Sequence, residues 1–422
     1  MREKLRFDNL PPAGVILPFL LVAPLFALAG LLALLAGGLE GALARWHPHT
    51  IAAVHLFTLG YLLPVMIAAL MQMLPVLTGR HLRAGTATGF LLQVLLFAGA
   101  AAFAAGLGGI SAGWSRVAFL ALLAGLLLFG YRIGTGVIPT LRERGAGREM
   151  LLAVGGLVVT AALGLRLLAA WAWPDISLPR QLTNLHAGWA MLGWVAPLII
   201  AAGRVVIPMF QNTDALPAWT RWLEPASLLG MLLASGPSLR PLGIVVAASS
   251  VAAFALAVLQ RQATRRPVPL DATSLLFRTA MGALLASVAG GLWLLNGSNA
   301  QLELLAVALF LAGFAGGCVL GMSMKIVPFL LRLHLQKRLW QLTLPARALP
   351  SFKALGAPRV EMLAAWLHAL ATLLLVVAVP LHGSILFAAA VIAYLAAFAS
   401  GTLSLFLALL RAVRLRRAML AP

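Results

Sequence analysis

Eight histidines carry most of the metal-binding potential of this chain, and three of them fall within nine residues. His47, His49 and His55 open the apolar segment HPHTIAAVHLFTLGYLLPVM. A neutral imidazole donates a lone pair to iron, copper or zinc. An ionisable side chain inside a bilayer is costly, so it marks a candidate functional site. The depth of each histidine in the membrane therefore decides which chemistry it can support.

The elements that position these histidines are predicted to be membrane-spanning helices. The 422 residues are 62% hydrophobic and 10% charged, and apolar runs of membrane-spanning length recur throughout. We predict an all-α polytopic membrane protein in which residues 1–422 form a single transmembrane domain. The N-terminal segment is expected to be a cytoplasmic tail before a retained first helix. The twelve predicted spans are 13–38, 51–77, 86–108, 115–133, 149–172, 181–208, 222–238, 241–260, 272–296, 302–330, 360–381 and 384–410.

The distribution of positive charge predicts the orientation in the membrane. The net charge of +20 is assigned to topology and not to nucleic-acid binding. With the N-terminus inside, 23 Lys and Arg residues lie in inside segments and four in outside loops. This positive-inside bias predicts that both termini are cytoplasmic, in a bacterial inner membrane. The basic loop 331–359 is expected to lie on the cytoplasmic lipid surface.

An internal repeat relates three of the predicted spans. LGYLLPVMIAALMQMLPVL (59–77) aligns without gaps to LGWVAPLIIAAGRVVIPMF (192–210), with seven of 19 positions identical, including both prolines. A fainter copy, AGFAGGCVLGMSMKIVPFL (312–330), keeps one glycine and the last proline. Spans two, six and ten therefore appear homologous, which predicts three four-helix units. The predicted units cover residues 13–133, 149–260 and 272–410.

His55 and His186 share a predicted depth on two of these related spans. Each lies four or five residues inside its span, about 6–8 Å below the outer boundary at about 1.5 Å per residue. Two imidazoles from different helices at one depth favour ligation of one haem or one metal ion. The alternative is that both histidines hydrogen-bond water, lipid headgroups or a neighbouring helix.

Four further residues are candidate ligands or partners. His368 is predicted near the middle of span eleven, where metal ligation and a structural role both stay open. Arg166, near the outer end of span five, is suited to a haem propionate, a lipid phosphate or outward snorkelling. His47 and His49 in an outside loop are candidates for a surface copper or zinc site, or are simply solvated.

Several other chemistries are excluded or disfavoured. The one cysteine, Cys318, lies within a span, so no disulfide framework is expected. The chain has no Walker motif, no HExxH and no CxxCH. The sequence signatures of nucleotide hydrolysis, zinc proteases and c-type haem attachment are therefore absent. Two methionine pairs, Met71 with Met73 and Met322 with Met324, suit Cu(I) but are also ordinary helix residues.

The span count, the repeat and the histidines together resemble the heme-copper oxidase subunit I superfamily. The segment HLFTLGYLLPVMIAALMQMLPVLTGR (55–80) looks most like that of NnrS-type membrane haem–copper proteins, and LHAGWAMLGW (185–194) is similar. The resemblance in span count and repeat arrangement covers the whole chain, but the matching sequence motifs cover only about 60 residues. The histidine pattern departs from the family because span seven has none and span ten has none within the membrane. Only His55 and His186 match family ligand positions.

The resemblance implies a membrane protein that binds b-type haem, with copper as a further candidate cofactor. His55, His186 and His368 would be ligands, and Arg166 would contact a propionate. The implied role lies in nitric oxide or respiratory redox metabolism, with a cytochrome or another electron donor as partner. Two alternatives stay open. The chain could be a cofactor-free transporter whose histidines line a path, or a copper-handling factor that uses histidine and methionine.

Overall fold

Twelve helices, α1–α12, make up most of the part of the chain that the structure, a computed structural model, describes. This part comprises residues 11–80, 85–108, 111–141, 145–265, 269–341 and 349–420. The bounds are α1 Ala13–Leu43, α2 Pro48–Thr78, α3 Thr86–Leu107, α4 Ala112–Leu141, α5 Ala146–Ala172, α6 Leu182–Gln211, α7 Leu223–Ser235, α8 Arg240–Ala263, α9 Ala272–Trp293, α10 300–341, α11 Pro358–Ala378 and α12 Ser384–Leu420.

Eleven helices in these described ranges are long and apolar enough to cross a membrane, where the sequence predicted twelve spans. The exception is the predicted seventh span, where α7 has only 13 residues and follows the 3₁₀ turn Ala218–Trp222. At about 1.5 Å per residue, α7 is about 20 Å long, shorter than the hydrocarbon core of a bilayer. Helix α7 begins at Leu223, one residue after the predicted start, and ends at Ser235 because the helix breakers Gly236 and Pro237 follow.

The predicted basic loop 331–359 is partly helical. Helix α10 continues through residues 331–341, and a single turn follows at Phe352–Leu355. Residues 342–348 lie outside the described part of the chain. The run from Leu330 to Gln341 contains no glycine or proline, so no local breaker ends the helix at the predicted boundary.

Helices α2, α6 and α10 are the most buried. In their most apolar windows 61%, 61% and 67% of residues are buried, against at most 50% in each of the other candidate spans. The remaining nine helices contact one another in a closed circuit around them, in the order α1, α3, α4, α5, α7, α8, α9, α11, α12 and back to α1. The three helices that the sequence alignment relates are thus the inner ones.

Each inner helix contains one π-helical segment. The segments are Leu56–Leu62 in α2, Trp189–Val195 in α6 and Leu309–Gly316 in α10. Their first residues are separated by 133 and 120 positions, the same offsets as in the sequence alignment. A π-helical turn adds a residue to the helical repeat and often occurs at functional sites. Within the described residues, the backbone therefore switches from α-helical to π-helical hydrogen bonding at aligned positions in all three helices.

A cavity of about 110 Å³ lies between the inner helices, with further walls from α1 and α9. Its wall is almost entirely apolar. At four levels the lining residues from α2, α6 and α10 occupy aligned positions. These are Val65 with Leu198 and Cys318, Met66 with Ile199 and Val319, Ala69 with Ala202 and Met322, and Met73 with Val206 and Ile326.

Candidate functional site

His55 is the last residue of the first α-helical part of α2, directly before the π-helical segment. Its Nδ1 lies 2.8 Å from the carbonyl oxygen of Ile51, one turn earlier. A carbonyl oxygen only accepts hydrogen bonds, so Nδ1 carries the hydrogen in this arrangement. In the neutral imidazole the lone pair is then on Nε2, which has no hydrogen-bonding partner among the described residues.

His186 is oriented in a similar way, but by a neighbouring helix. It lies on the first part of α6, and its Nδ1 is 3.1 Å from the carbonyl oxygen of Thr160 on α5. Gly164, one turn further along α5, lies against the same ring. A Cβ atom at Gly164 would be only 2.8 Å from His186 Cε1, so glycine is what permits this approach.

The two imidazoles lie side by side. Their ring centres are 6.4 Å apart and their planes are parallel to within 6°. A metal ion lies about 2.0–2.1 Å from a ligating nitrogen and the ring centre about 1.1 Å beyond it, so two imidazoles on opposite sides of one ion have centres about 6.3 Å apart. The observed separation fits that arrangement.

The surroundings of this pair are apolar. The ring centre of Phe103 on α3 is 4.4 Å from that of His55. Phe103 belongs to a small buried cluster separate from the main core, made of Ala102, Phe103, Leu107, Ala118, Leu122 and Leu168. A carbonyl partner on each Nδ1 and an apolar shell are the usual supports of a ligating histidine.

His368 is fully buried but has different partners. Its Nε2 lies 3.1 Å from the carbonyl oxygen of Ala312, inside the third π-helical segment. Its ring packs edge-on against Tyr394, with centres 5.4 Å apart. Nδ1 is buried and has no hydrogen-bonding partner in the described ranges. The structure thus pairs His368 with α10 and α12, and does not stack it with the other histidines.

Arg166 is exposed at the surface of α5. Both terminal nitrogens lie 3.2–3.3 Å from the carbonyl oxygen of Ser177. Arg166 follows Gly164 by two positions, about 200° around the helix, so it starts on the face of α5 away from His186. Its contact with a propionate has no support from this geometry and stays a prediction.

His47 and His49 are in contact at the start of α2. Their ring centres are 5.2 Å apart with an angle of 28° between the planes. Both side chains lie against glycines of α1: an added Cβ at Gly41 would be 3.3 Å from His47 Nδ1, and one at Gly37 would be 3.1 Å from His49 Cβ. His47 Nδ1 is buried without a hydrogen-bonding partner among the described residues. The pair is compact enough to be considered for a metal, as the sequence suggested.

Larger groups of metal ligands do not occur in the described ranges. No three or more His, Cys, Asp or Glu side chains converge there in a way that could hold a metal ion. A metal ion held by His55 and His186 would therefore have no third ligand of these types among the described residues.

Two basic residues on the inner helices form ion pairs. Arg204 on α6 pairs with Glu149 at the start of α5. Lys325 on α10 lies 2.9 Å from Asp271, the residue that caps the N-terminus of α9. Sequence reasoning missed both pairs because their members are 55 and 54 positions apart. The acidic residue near each predicted helix start was the available signal.

Comparisons with known proteins leave the family open. No protein-family model matches the chain, and no curated protein matches it.

Proposed function

We propose that this chain is a bacterial inner-membrane protein that binds one b-type haem between His55 and His186 and acts in nitric oxide or respiratory redox metabolism. The observation that carries the proposal is the parallel pair of imidazoles with centres 6.4 Å apart. Each Nδ1 is engaged by a backbone carbonyl, which leaves each Nε2 as the ligating atom.

The number of ligands favours a haem over a bare ion. Structural zinc sites use four protein ligands and catalytic ones three. Within the described residues, this pair has no third His, Cys, Asp or Glu close enough to complete such a set. A haem iron needs only axial ligands from the protein, because the macrocycle supplies the other four nitrogens.

Three features support a relationship to the heme-copper oxidase subunit I superfamily, with NnrS-type proteins as the nearest resemblance. The most buried helices are α2, α6 and α10, which recur at intervals of four. Their π-helical segments start at aligned positions. The central cavity is lined by aligned residues from all three. We therefore propose three four-helix units.

In this proposal the chain crosses the membrane twelve times, with both termini inside. Helix α7 and the preceding 3₁₀ turn together have 18 residues, and α7 packs along α8. With α7 crossing, 23 basic residues lie inside and four outside. If α7 does not cross, every later segment lies on the opposite side of the membrane. The excess of basic residues inside is then lost, which is contrary to the positive-inside rule.

A bound haem would supply one-electron redox chemistry and a site for a small gas. The chain's own residues differ in how they hold the two histidines. His55 is fixed by its own helix through Ile51. His186 is fixed by Thr160 of another helix, so any shift of α5 against α6 moves it. We propose that His186 is the more mobile of the two histidines that would hold the haem.

The test is the absorption spectrum and haem content of the purified protein. Wild type should show a Soret band and haem close to one equivalent, and His55→Ala and His186→Ala should each change the spectrum. His334→Ala is the matched control, because that histidine bonds carbonyl oxygens of Leu330 and Pro11 in a different region. A colourless wild-type protein would refute the proposal and favour the cofactor-free transporter.

Metal analysis of the same samples tests the second candidate cofactor. Copper that disappears in His47→Ala and His49→Ala, with haem unchanged, would place a separate surface site at the stacked pair. If the protein contains a metal but no haem, and this metal is lost in His55→Ala, haem binding is contradicted. The assignment of His55 as a ligand would then stand.

A further inference from the structure

Glu224 is a buried carboxyl group that the proposed haem site does not use. It lies in the first turn of α7 and is only 1% exposed. Neither carboxyl oxygen has a hydrogen-bonding partner of good geometry in the described part of the chain. Glu361 provides the contrast. It is also buried, yet its Oε1 accepts hydrogen bonds from the Ala357 backbone and from Ser404 Oγ.

The neighbours of Glu224 are charged and few. The carboxyl group approaches the backbone of Ala153 on α5 and interacts electrostatically with Glu149, Arg204 and Arg148. The Arg204 guanidinium is already engaged, because it forms an ion pair with Glu149. Arg148 is exposed to solvent, so Arg204 is the guanidinium that the two carboxyl groups share at this junction of α5, α6 and α7.

The burial of Glu224 favours its protonated form. An ionised carboxylate that is buried without hydrogen bonds is strongly disfavoured, and two nearby carboxylates disfavour each other's charge. With Glu149 and Arg204 paired, a proton on Glu224 makes the group of Glu224, Glu149 and Arg204 neutral. The observed ion pair between Arg204 and Glu149 fits that arrangement.

We propose that Glu224, Glu149 and Arg204 form a proton relay in which Glu224 is the buried proton-binding site. In one state Glu224 holds the proton and Arg204 pairs with Glu149. In the other the O–H bond of Glu224 breaks, the proton binds a carboxylate oxygen of Glu149, and Arg204 pairs with Glu224. The net charge is unchanged, so no uncompensated charge is buried.

The exposure of the two carboxyl groups gives the relay a direction. The Glu149 side chain is 14% exposed and Glu224 is nearly inaccessible. Glu149 therefore exchanges its proton with water, and Glu224 receives it from Glu149. Because the relay uses none of the proposed haem ligands, it does not depend on the presence of haem.

Infrared spectroscopy of the full-length protein in lipid nanodiscs tests this relay. At neutral pH the wild type should show a carboxylic acid C=O band that shifts in D₂O and on ¹³C labelling of glutamate. Glu224→Gln should remove the band, and Glu361→Gln should leave it unchanged. Glu149→Gln should also remove it, because Arg204 then moves to Glu224 and Glu224 ionises.

Three infrared results would contradict the proton relay, each at a different step of the argument. A wild-type spectrum without a labelled glutamic acid band would show that Glu224 is ionised and overturn the proposal. A band that survives in Glu224→Gln would assign the proton to another residue. A band that survives in Glu149→Gln would overturn the exchange of partners by Arg204. The labelled wild-type measurement needs no variant, so a poorly folding variant does not prevent the test.

Discussion

Replacing Gly164 by alanine should displace His186 without altering either histidine. The new Cβ would lie 2.8 Å from His186 Cε1, and ordinary contacts begin near 3.4 Å. The ring must therefore retreat by at least about 0.6 Å, several times the ~0.2 Å tolerance of metal–ligand distances. Disturbing the support of a metal ligand typically weakens binding about 10–100-fold, and we expect that loss of haem affinity.

Haem titration of the apoprotein in nanodiscs measures the effect, with thermal unfolding recorded in parallel. Alanine is favoured over glycine within a helix by about 1 kcal/mol, which offsets part of the steric cost, so the apoprotein should still fold. Gly155→Ala is the matched control on the same helix, because its Cβ would meet no atom within 4 Å. Wild-type haem affinity and spectrum in Gly164→Ala would refute the assigned position of His186.

Three further predictions concern packing and charge. Gly156→Ala places a Cβ directly against the carbonyl oxygen of Gly193, and a backbone atom cannot move aside as a flexible side chain can. Chemical unfolding should therefore report a loss of about 1–3 kcal/mol, and an unchanged midpoint would contradict this helix contact. Asp271→Ala should lower thermal stability by about 1 kcal/mol more than Asp271→Asn, because asparagine keeps the cap on Ser274; equal losses would argue against capping. Burial raises the pKa of Asp271, but hydrogen bonds from Ser274 and Lys325 outweigh it and hold that pKa below its usual value. The stability from this carboxylate is therefore present above the usual carboxyl pKa and lost as pH falls through the lower folded value, so Asp271→Asn should flatten the acid side of the stability profile.

The inner helices were predictable from sequence because their signals are local and repeated. Apolar length identifies the spans, and the matched prolines 64 with 197 and 75 with 208 align α2 with α6. The π-helical segments were not predicted. They depend on how hydrogen bonds shift within a packed helix, and no residue type specifies that shift.

The candidate site was predicted only in part. His55 and His186 were paired from their shared depth on repeat-related spans, and the structure brings their rings together although they are two positions out of register in the alignment. The role of Gly164 was not foreseen, because it follows from a side-chain contact between α5 and α6. The burial of Glu224 was not predicted either, since sequence does not reveal whether a helix end is buried.

Electron paramagnetic resonance of the oxidised protein tests the central claim most directly. If the imidazoles of His55 and His186 ligate one ferric haem iron with their planes parallel, as these planes are to within 6°, the oxidised protein should give a rhombic low-spin signal. Labelling histidine with ¹⁵N should reveal two coordinated imidazole nitrogens, with one lost in His55→Ala and one in His186→Ala. A high-spin signal alone, or a low-spin signal that persists unchanged in both variants, would contradict the account.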